Sequence, residues 1–583
     1  MGFRLILFVV ALALLPDRLA AQSAPAFSKV ILFGDSLSDD GNIKHVVQDK
    51  FFISYPSLAF DYSDGRFTNS ATTFPGSNTY AGTWHEQLAQ TFLGLSAASN
   101  SLDGGNDYAF GGATTVSGTS ERTVISNPAP FIGGEYTITI DNLGKQVDDY
   151  LGSHTPDPAA LYIVWGGGND LFDDDSSANV TATAQRVAGL VEQLARAGAV
   201  NILVPNVPPL GLIPNYENDV AQATALNAAS AAYREEFNRQ LDTAISTLAG
   251  ESITISLYRL DIYGLFYRLA ANPADYGFVN ISDSAQFQAV NPDQYLFWDD
   301  IHPTTAGHHQ IAAAAFDLLN GTALPPAQSL NLSARLPVGT GDNVLIGGLI
   351  IAGTEAKQVI VRGLGPSLAV NGIPLGGTLA DPTLELYQGS TLIMSNDNWK
   401  DSQEGAIEAT GIPPTDDLES AIVASLAPGT YTVILQGKNN GTGIGLVEAY
   451  DLDPTAQSTL ANTSTRGLVQ TGDNVLIGGF IVGNGGSDTV VVRAIGPSLA
   501  AAGVANPLAD PTLDLYDGNG VLILSDDNWR DSQEALIQST GLAPKNDAES
   551  AIIRSLTPGA YTAVVRGKDG ATGVALVEVY NLQ

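Results

Sequence analysis

Short apolar runs and longer half-apolar stretches alternate along the first part of the chain. "KVILFG", "ALYIVWGG" and "AVNILVPNV" are brief β-branched or aromatic runs, each closed by Gly, Asn or Pro. Runs of this kind predict buried strands. Between them stand Ala-rich stretches such as "ATAQRVAGLVEQLARAG" and "DVAQATALNAASAAYREEFNRQLDTAISTLAG". In the first of these, Val187, Leu190, Val191 and Leu194 recur at helical spacing and predict one buried face. Buried strands alternating with amphipathic helices predict a parallel sheet covered on both faces, a three-layer α/β/α unit over residues 27–322. In open sheets of this type, ligands bind beyond the carboxyl ends of the strands.

After "LPPAQ" the pattern changes to strict alternation, as in "GTYTVILQG" and "LVEAYDL", split by Gly-rich turns. This predicts antiparallel β-sandwiches. The segment also repeats. "TGDNVLIGG" stands at Thr340–Gly348 and again at Thr471–Gly479, "LADPTL" at Leu379 and Leu508, "DNW" at Asp397 and Asp527, and "ESAI" at Glu419 and Glu549. Two β-sandwich-like repeat domains are predicted, 330–452 and 465–583, joined by a linker at 453–464. "DSQEALIQSTG" predicts one short helix in each copy.

The N-terminus reads differently. A charged "MGFR", the apolar run "LILFVVALALL" and the small residues of "RLAAQSA" have the layout of a secretory signal peptide over residues 1–21. No other stretch approaches the length of a membrane-spanning helix. The expectation is an exported protein, extracellular or periplasmic, with association to a cell surface as a further option. Composition narrows the partners: 26 Lys+Arg against 61 Asp+Glu give a net charge of −35, which disfavours nucleic acid. With no cysteine, disulfides and thiolate metal sites are excluded. Neither a cofactor nor a metal is expected.

Candidate chemistry begins where the first strand stops. "FGDSLSDDGN" places Ser36 at a strand's carboxyl end, where a helix starting just after would aim backbone N–H groups at the hydroxyl. Serine needs a base to become a nucleophile, and the base needs an orienting partner. Taken alone, Asp35 and Ser36 read first as helix caps. Of the six histidines, His302 stands apart. In "YLFWDDIHPTTAGH" an apolar run leads to Asp299, Asp300 and His302, and then to Pro303. The spacing of three lets the Asp299 carboxylate reach one imidazole nitrogen in a loop or turn and leaves the other free to accept a proton; Asp300 is the alternative orienter. In "YIVWGGGNDLF" Asn169 offers an amide donor at a strand end, and in "NDYAFGGATT" Gly111 allows close approach of a backbone N–H.

These four blocks, in this order, resemble the GDSL family of lipases and esterases, also called SGNH hydrolases, over residues 27–319. "DGRFTNS" and "TWHEQLA" are similar to the secreted lecithinase and haemolysin-like branch. The resemblance implies a flavodoxin-like fold and hydrolysis of carboxylic esters. It implies Ser36 as nucleophile, His302 as base and Asp299 as orienter, with Ser36, Gly111 and Asn169 forming the oxyanion hole. Some relatives end in an outer-membrane barrel, whereas two Gly/Asp-rich copies stand here.

For the copies, three readings are open. They bind polysaccharide with Trp399 and Trp529 as stacking platforms; they bind calcium through clusters such as Asp397/Asp401 and Asp526/Asp527/Asp531; or they are spacers. An esterase or lipase acting on a small or lipid ester is the first functional reading. A polysaccharide deacetylase, or an adhesion protein acting through the copies, is the alternative.

Overall fold

The computed structural model describes residues 26–52, 55–56, 60–70, 80–126, 134–216, 218–324, 329–370, 372–454, 456–483 and 485–582. The expected signal peptide lies outside the described residues. The chain divides into two units at Ala323–Leu324.

In the first unit, strands β1 (Val30–Phe33), β4 (Leu161–Val164), β5 (Asn201–Pro205) and β6 (Ser256–Leu260) form a parallel sheet in the order β1-β4-β5-β6. The numbers β2 and β3 belong to a hairpin, Thr119–Ser126 with Gly134–Asp141. On the free side of β1 runs Asn106–Phe110, bonded to Leu32 and Gly34 in parallel fashion. The order thus reverses at β1, as in flavodoxin-like sheets, and puts a crevice at the carboxyl end of that strand.

Alternate strand residues feed two cores. Ile31, Phe33, Tyr162, Val164, Ile202 and Val204 face helices Leu143–Ser153, Ser177–Ala197 and Val220–Gly250. Leu32, Leu161, Ile163 and Leu203 face Ile262–Ala271 and Thr305–Leu319. Because β1, β4 and nearly all of β5 are buried between helices on both faces, these strands read as continuous apolar runs. The predicted stripe Val187, Leu190, Val191 and Leu194 is buried in the first core.

The second unit joins its two sandwich-like copies edge to edge. It holds two eight-stranded antiparallel sheets over one core, and each copy gives four strands to each sheet. Strand Leu345–Gly353 of copy one pairs with Ser458–Val469 of copy two, and Ser329–Val338 pairs with Leu476–Val482. Much of the expected linker 453–464 is therefore strand. Unpaired edges would leave rows of backbone donors and acceptors open; joining the copies edge to edge satisfies them. The repeated "IGG" follows from this junction. A Cβ on Gly348 would lie 2.4 Å from Ser464 Oγ, and one on Gly479 would lie 2.5 Å from Ser333 Oγ.

The other recurring residues are structural as well. Glu419 and Glu549 are fully buried, and each accepts backbone N–H bonds across a turn, from Gly365 and Ser367 and from Gly496 and Ser498. The predicted short helices are Glu404–Ala409 and Glu534–Ser539. Trp399 and Trp529 are only 5% and 2% exposed, and Lys400 and Arg530 cover their rings. They pack and do not offer a stacking platform. The acidic clusters are met by lysine: Lys438 Nζ lies 2.6 Å from Asp397 and Lys568 Nζ 2.6 Å from Asp527.

Candidate active site

Strand β1 ends at Phe33, and Gly34 begins the turn that presents Ser36. The Gln146 amide grips Gly34 on both sides, accepting from its N–H and donating to its carbonyl, each at 2.9 Å. A Cβ on Gly34 would come within 3.3 Å of the Trp165 carbonyl. The turn closes through Ser38 and Asp39 N–H groups donating to the Asp35 carbonyl, while the Asp35 carboxylate accepts from Leu37 N–H. Burial pushes Asp35 up to about 6. The capping role falls to Asp39, whose carboxylate takes Gly41, Asn42 and Ile43 N–H groups at the start of helix Asn42–Phe51. The Ser36 hydroxyl is left for other work.

His302 Nε2 lies 2.9 Å from Ser36 Oγ. On its other side, Nδ1 lies 2.8 Å from Asp299 Oδ2 and 3.0 Å from Oδ1. A carboxylate can only accept, so Nδ1 carries the proton and Nε2 is the acceptor for the serine hydroxyl. Asp299 Oδ1 also accepts from the Ile301 and His302 N–H groups, and Oδ2 from the Tyr62 hydroxyl. Burial alone would raise Asp299, but His302 and these donors outweigh it and hold the carboxyl below its usual range. Asp300 is exposed; what the turn bonds is its carbonyl, which accepts from Asn215 N–H. Spacing left Asp299 and Asp300 both open, and the turn brings only Asp299 to the imidazole.

Asn169 is in the short helix Gly168–Asp173 that follows β4, and its Nδ2 donates to the Ala113 carbonyl at 2.9 Å. The amide has a second N–H. Gly111 departs from expectation. Its N–H donates to Asp39 Oδ2 at 2.8 Å and is committed to the turn that caps the helix. The next residue, Gly112, has φ 79° and follows Gly111 in a turn closed by Ala113 N–H to the Phe110 carbonyl. That is the arrangement of a type II turn, which demands a positive φ at its third residue and turns the central peptide out of the turn plane. The Gly112 and Ser36 N–H groups make no hydrogen bond within the described residues.

Ser36, His302, Asn169, Gly111 and Gly112 line one cavity of about 220 Å³. Its other walls are apolar, including Ile43, Phe67, Val124, Phe172, Leu210 and Ile213. Arg122, on the hairpin, is the cation of the wall; it donates to the Gly112 carbonyl at 2.8 Å and to Asp173 at 3.2 Å. Among the described residues, no group of three His, Asp or Glu side chains is placed to hold a metal ion. The sequence reading passed over Tyr62, Gln146, Gly112 and Arg122. Two of them carried a signal: Tyr62 stands beside the quoted "DGRFTNS", and Gly112 is the second glycine of "NDYAFGGATT".

Residues 30–315 match the model of the GDSL-like lipase/acylhydrolase family. The chain is 26% identical over 376 residues to Lipase 1 of Photorhabdus luminescens, covering 52% of this chain and 51% of that protein. It is 25% identical over 349 residues to a phosphatidylcholine-sterol acyltransferase of Aeromonas hydrophila, covering 51% and 91%. A third relative, the thermolabile hemolysin of Vibrio parahaemolyticus, is 24% identical over 328 residues, covering 52% and 66%. The chain thus spans about half the length of the first relative and most of the second. Residues 30–315 thus form a GDSL-like lipase/acylhydrolase domain, and these relatives are consistent with a lecithinase-like branch.

Proposed function

We propose that the first unit, residues 27–322, is a serine esterase or lipase that cleaves carboxylic esters through an acyl-enzyme on Ser36. The observation that carries this reading is the relay Ser36–His302–Asp299 at 2.9 and 2.8 Å beside an apolar cavity. Ser36 Oγ attacks the ester carbonyl carbon while its proton passes to His302 Nε2. The carbonyl oxygen becomes an oxyanion and takes the free N–H groups of Ser36 and Gly112 and the second amide N–H of Asn169. Gly112 replaces Gly111 in this role because the Gly111 N–H is already spent on Asp39. The intermediate collapses, the C–O bond to the alcohol breaks, and His302 returns the proton to the leaving oxygen. Water then repeats the cycle and releases the carboxylic acid and Ser36.

The apolar walls favour the acyl chain as occupant of the cavity. The N-terminal segment supports export. Among the described residues no helix is long and apolar enough to cross a membrane. A polysaccharide-binding role for the copies loses its main support once Trp399 and Trp529 are buried.

The test is active-site labelling of the full chain. A fluorophosphonate should add once, on the peptide carrying Ser36, and block hydrolysis of p-nitrophenyl butyrate. Labelling elsewhere with Ser36 unmodified would overturn the assignment.

A further inference from the structure

The segment "DYSDGRFTNS", Asp61–Ser70, takes no part in the chemistry above, yet it is bonded along its length to the loop that carries Asp299 and His302. Tyr62 Oη donates to Asp299 Oδ2 at 2.7 Å. The Phe67 ring lies 4.9 Å from the His302 imidazole at an interplanar angle of 35°. Thr68 Oγ1 donates to the Pro303 carbonyl at 3.0 Å. Asn69 Oδ1 accepts from Thr305 N–H at 2.7 Å, and its Nδ2 donates to Thr305 Oγ1 at 3.2 Å. The segment is closed on itself by Ser63 N–H to Thr68 O and Ser70 N–H to Asp61 O. Arg66 anchors it through two bonds to the Glu86 carboxylate, at 2.7 and 2.6 Å.

We propose that this segment is a clamp on the Asp299–His302 pair, with Tyr62 as a positioning residue that acts on His302 through Asp299. The proposal rests on the reading of His302 as the base and goes beyond it by assigning what tunes that base. Asp299 Oδ2 is shared between the Tyr62 hydroxyl and His302 Nδ1–H, while Oδ1 takes two backbone N–H groups. With four donors the carboxylate plane is fixed, and its charge is divided between the imidazole and the phenol. Removing the phenol donor leaves more charge on Oδ2 and frees the carboxylate to turn.

The groups facing the pair are few. Tyr55 and Tyr62 face Asp299, and Asp35 and His308 face His302. Burial and the Asp299 charge push Tyr62 well above the usual tyrosine range, so it remains a donor. Burial takes His308 down to about 3, so it stays neutral at working pH. The Tyr62 ring meets Trp298 edge-on at 6.2 Å, a contact that phenylalanine would keep.

The experiment is Tyr62→Phe in the full chain, read as a pH–rate profile with p-nitrophenyl butyrate. KM should stay within about twofold and kcat should fall about tenfold. The acid limb of kcat/KM should move up by about half a pH unit, because greater charge on Oδ2 favours the protonated imidazole. A second readout needs no turnover. In a Ser36→Ala background, adding Tyr62→Phe should move the low-field Nδ1–H proton resonance of His302. Unmoved limb and resonance overturn the proposal, even if kcat falls, since bare structural support would lower the rate alone. If Ser36→Ala by itself kept full activity, the esterase reading would fail, while the resonance would still report on the clamp.

Discussion

His302 Nε2 and Ser36 Oγ are 2.9 Å apart, although 266 positions of sequence separate them. The contact joins the end of the first strand to the loop before the last helix of the unit. Sheet order makes it possible, because β1 is flanked on both sides, by β4 and by Asn106–Phe110, and the order reverses at its carboxyl end.

Replacing Ser36 with Ala removes the hydroxyl that is hydrogen-bonded to the imidazole. Hydrolysis of p-nitrophenyl butyrate should fall by about 10⁴-fold, with the thermal transition of the first unit unchanged. Rates above a tenth of wild type would show that another group attacks.

Asp299 and Asp300 should differ sharply. Asp299→Asn leaves the Nδ1–H facing an amide and should cost about 10³- to 10⁴-fold in kcat. Asp300→Asn changes an exposed side chain whose backbone carbonyl makes the bond to Asn215, and should stay within about threefold. Steady-state kinetics of the two variants side by side decide the matter.

In the proposed mechanism, Asn169→Ala removes a donor to charge that exists only during the reaction. It should lower kcat by about 10²-fold or more and leave KM nearly unchanged. Gly111→Ala should also lower kcat, but by another route. The added Cβ would come within 2.6 Å of the Phe67 ring, which rests against His302. A loss for Gly111→Ala that is reversed by trimming Phe67 to Leu would separate this route from a missing N–H.

The second unit carries a pH dependence of its own. In copy one, Lys357 and Asp451 form a buried pair at 2.7 Å. At the matching register of copy two stand Asp488 and Asn581, with the amide donating to Asp488 Oδ2 at 2.9 Å. Asp488 stands where copy one has Lys357, no cation is paired with it among the described residues, and burial pushes it up to about 8. Its folded state therefore holds a proton that the unfolded state releases near pH 4, so stability is fully present below that and declines as pH rises through 8. Calorimetry on the full chain should show the second unit melting at lower temperature at pH 9 than at pH 5. Asp488→Asn should flatten that slope and add roughly 2 kcal/mol at pH 9. A slope unchanged by the substitution would place the cause elsewhere.

Much of the first unit was legible because its signals are local. Apolar runs such as "VILF" and "LYIV" become strands buried on both faces, and the spacing of Asp299 and His302 is read within one turn. What escaped is what crosses between segments. Nothing near Gly111 in sequence says that its N–H is taken by Asp39, 72 positions earlier. Tyr62 meets Asp299 across 237 positions. Two tryptophans recurring in the repeats read more readily as core residues than as platforms, and only their neighbours decided it. The linker reading failed for a related reason. "DLDPTAQSTLANTS" is polar and turn-like at its start, but Ser458–Val469 finds partners on two other strands.

The sequence by itself determined the elements, the repeat and the residue types that chemistry needs, because strand and helix periodicity and short turns depend on neighbours a few positions away. Tertiary structure alone decided which donors remain free for an oxyanion, which aspartate reaches the imidazole and how the repeats join. Each of those outcomes rests on hydrogen-bond competition among groups brought together by packing. A backbone N–H or a carboxylate oxygen has a limited number of bonds to make, and only the folded chain shows where they go.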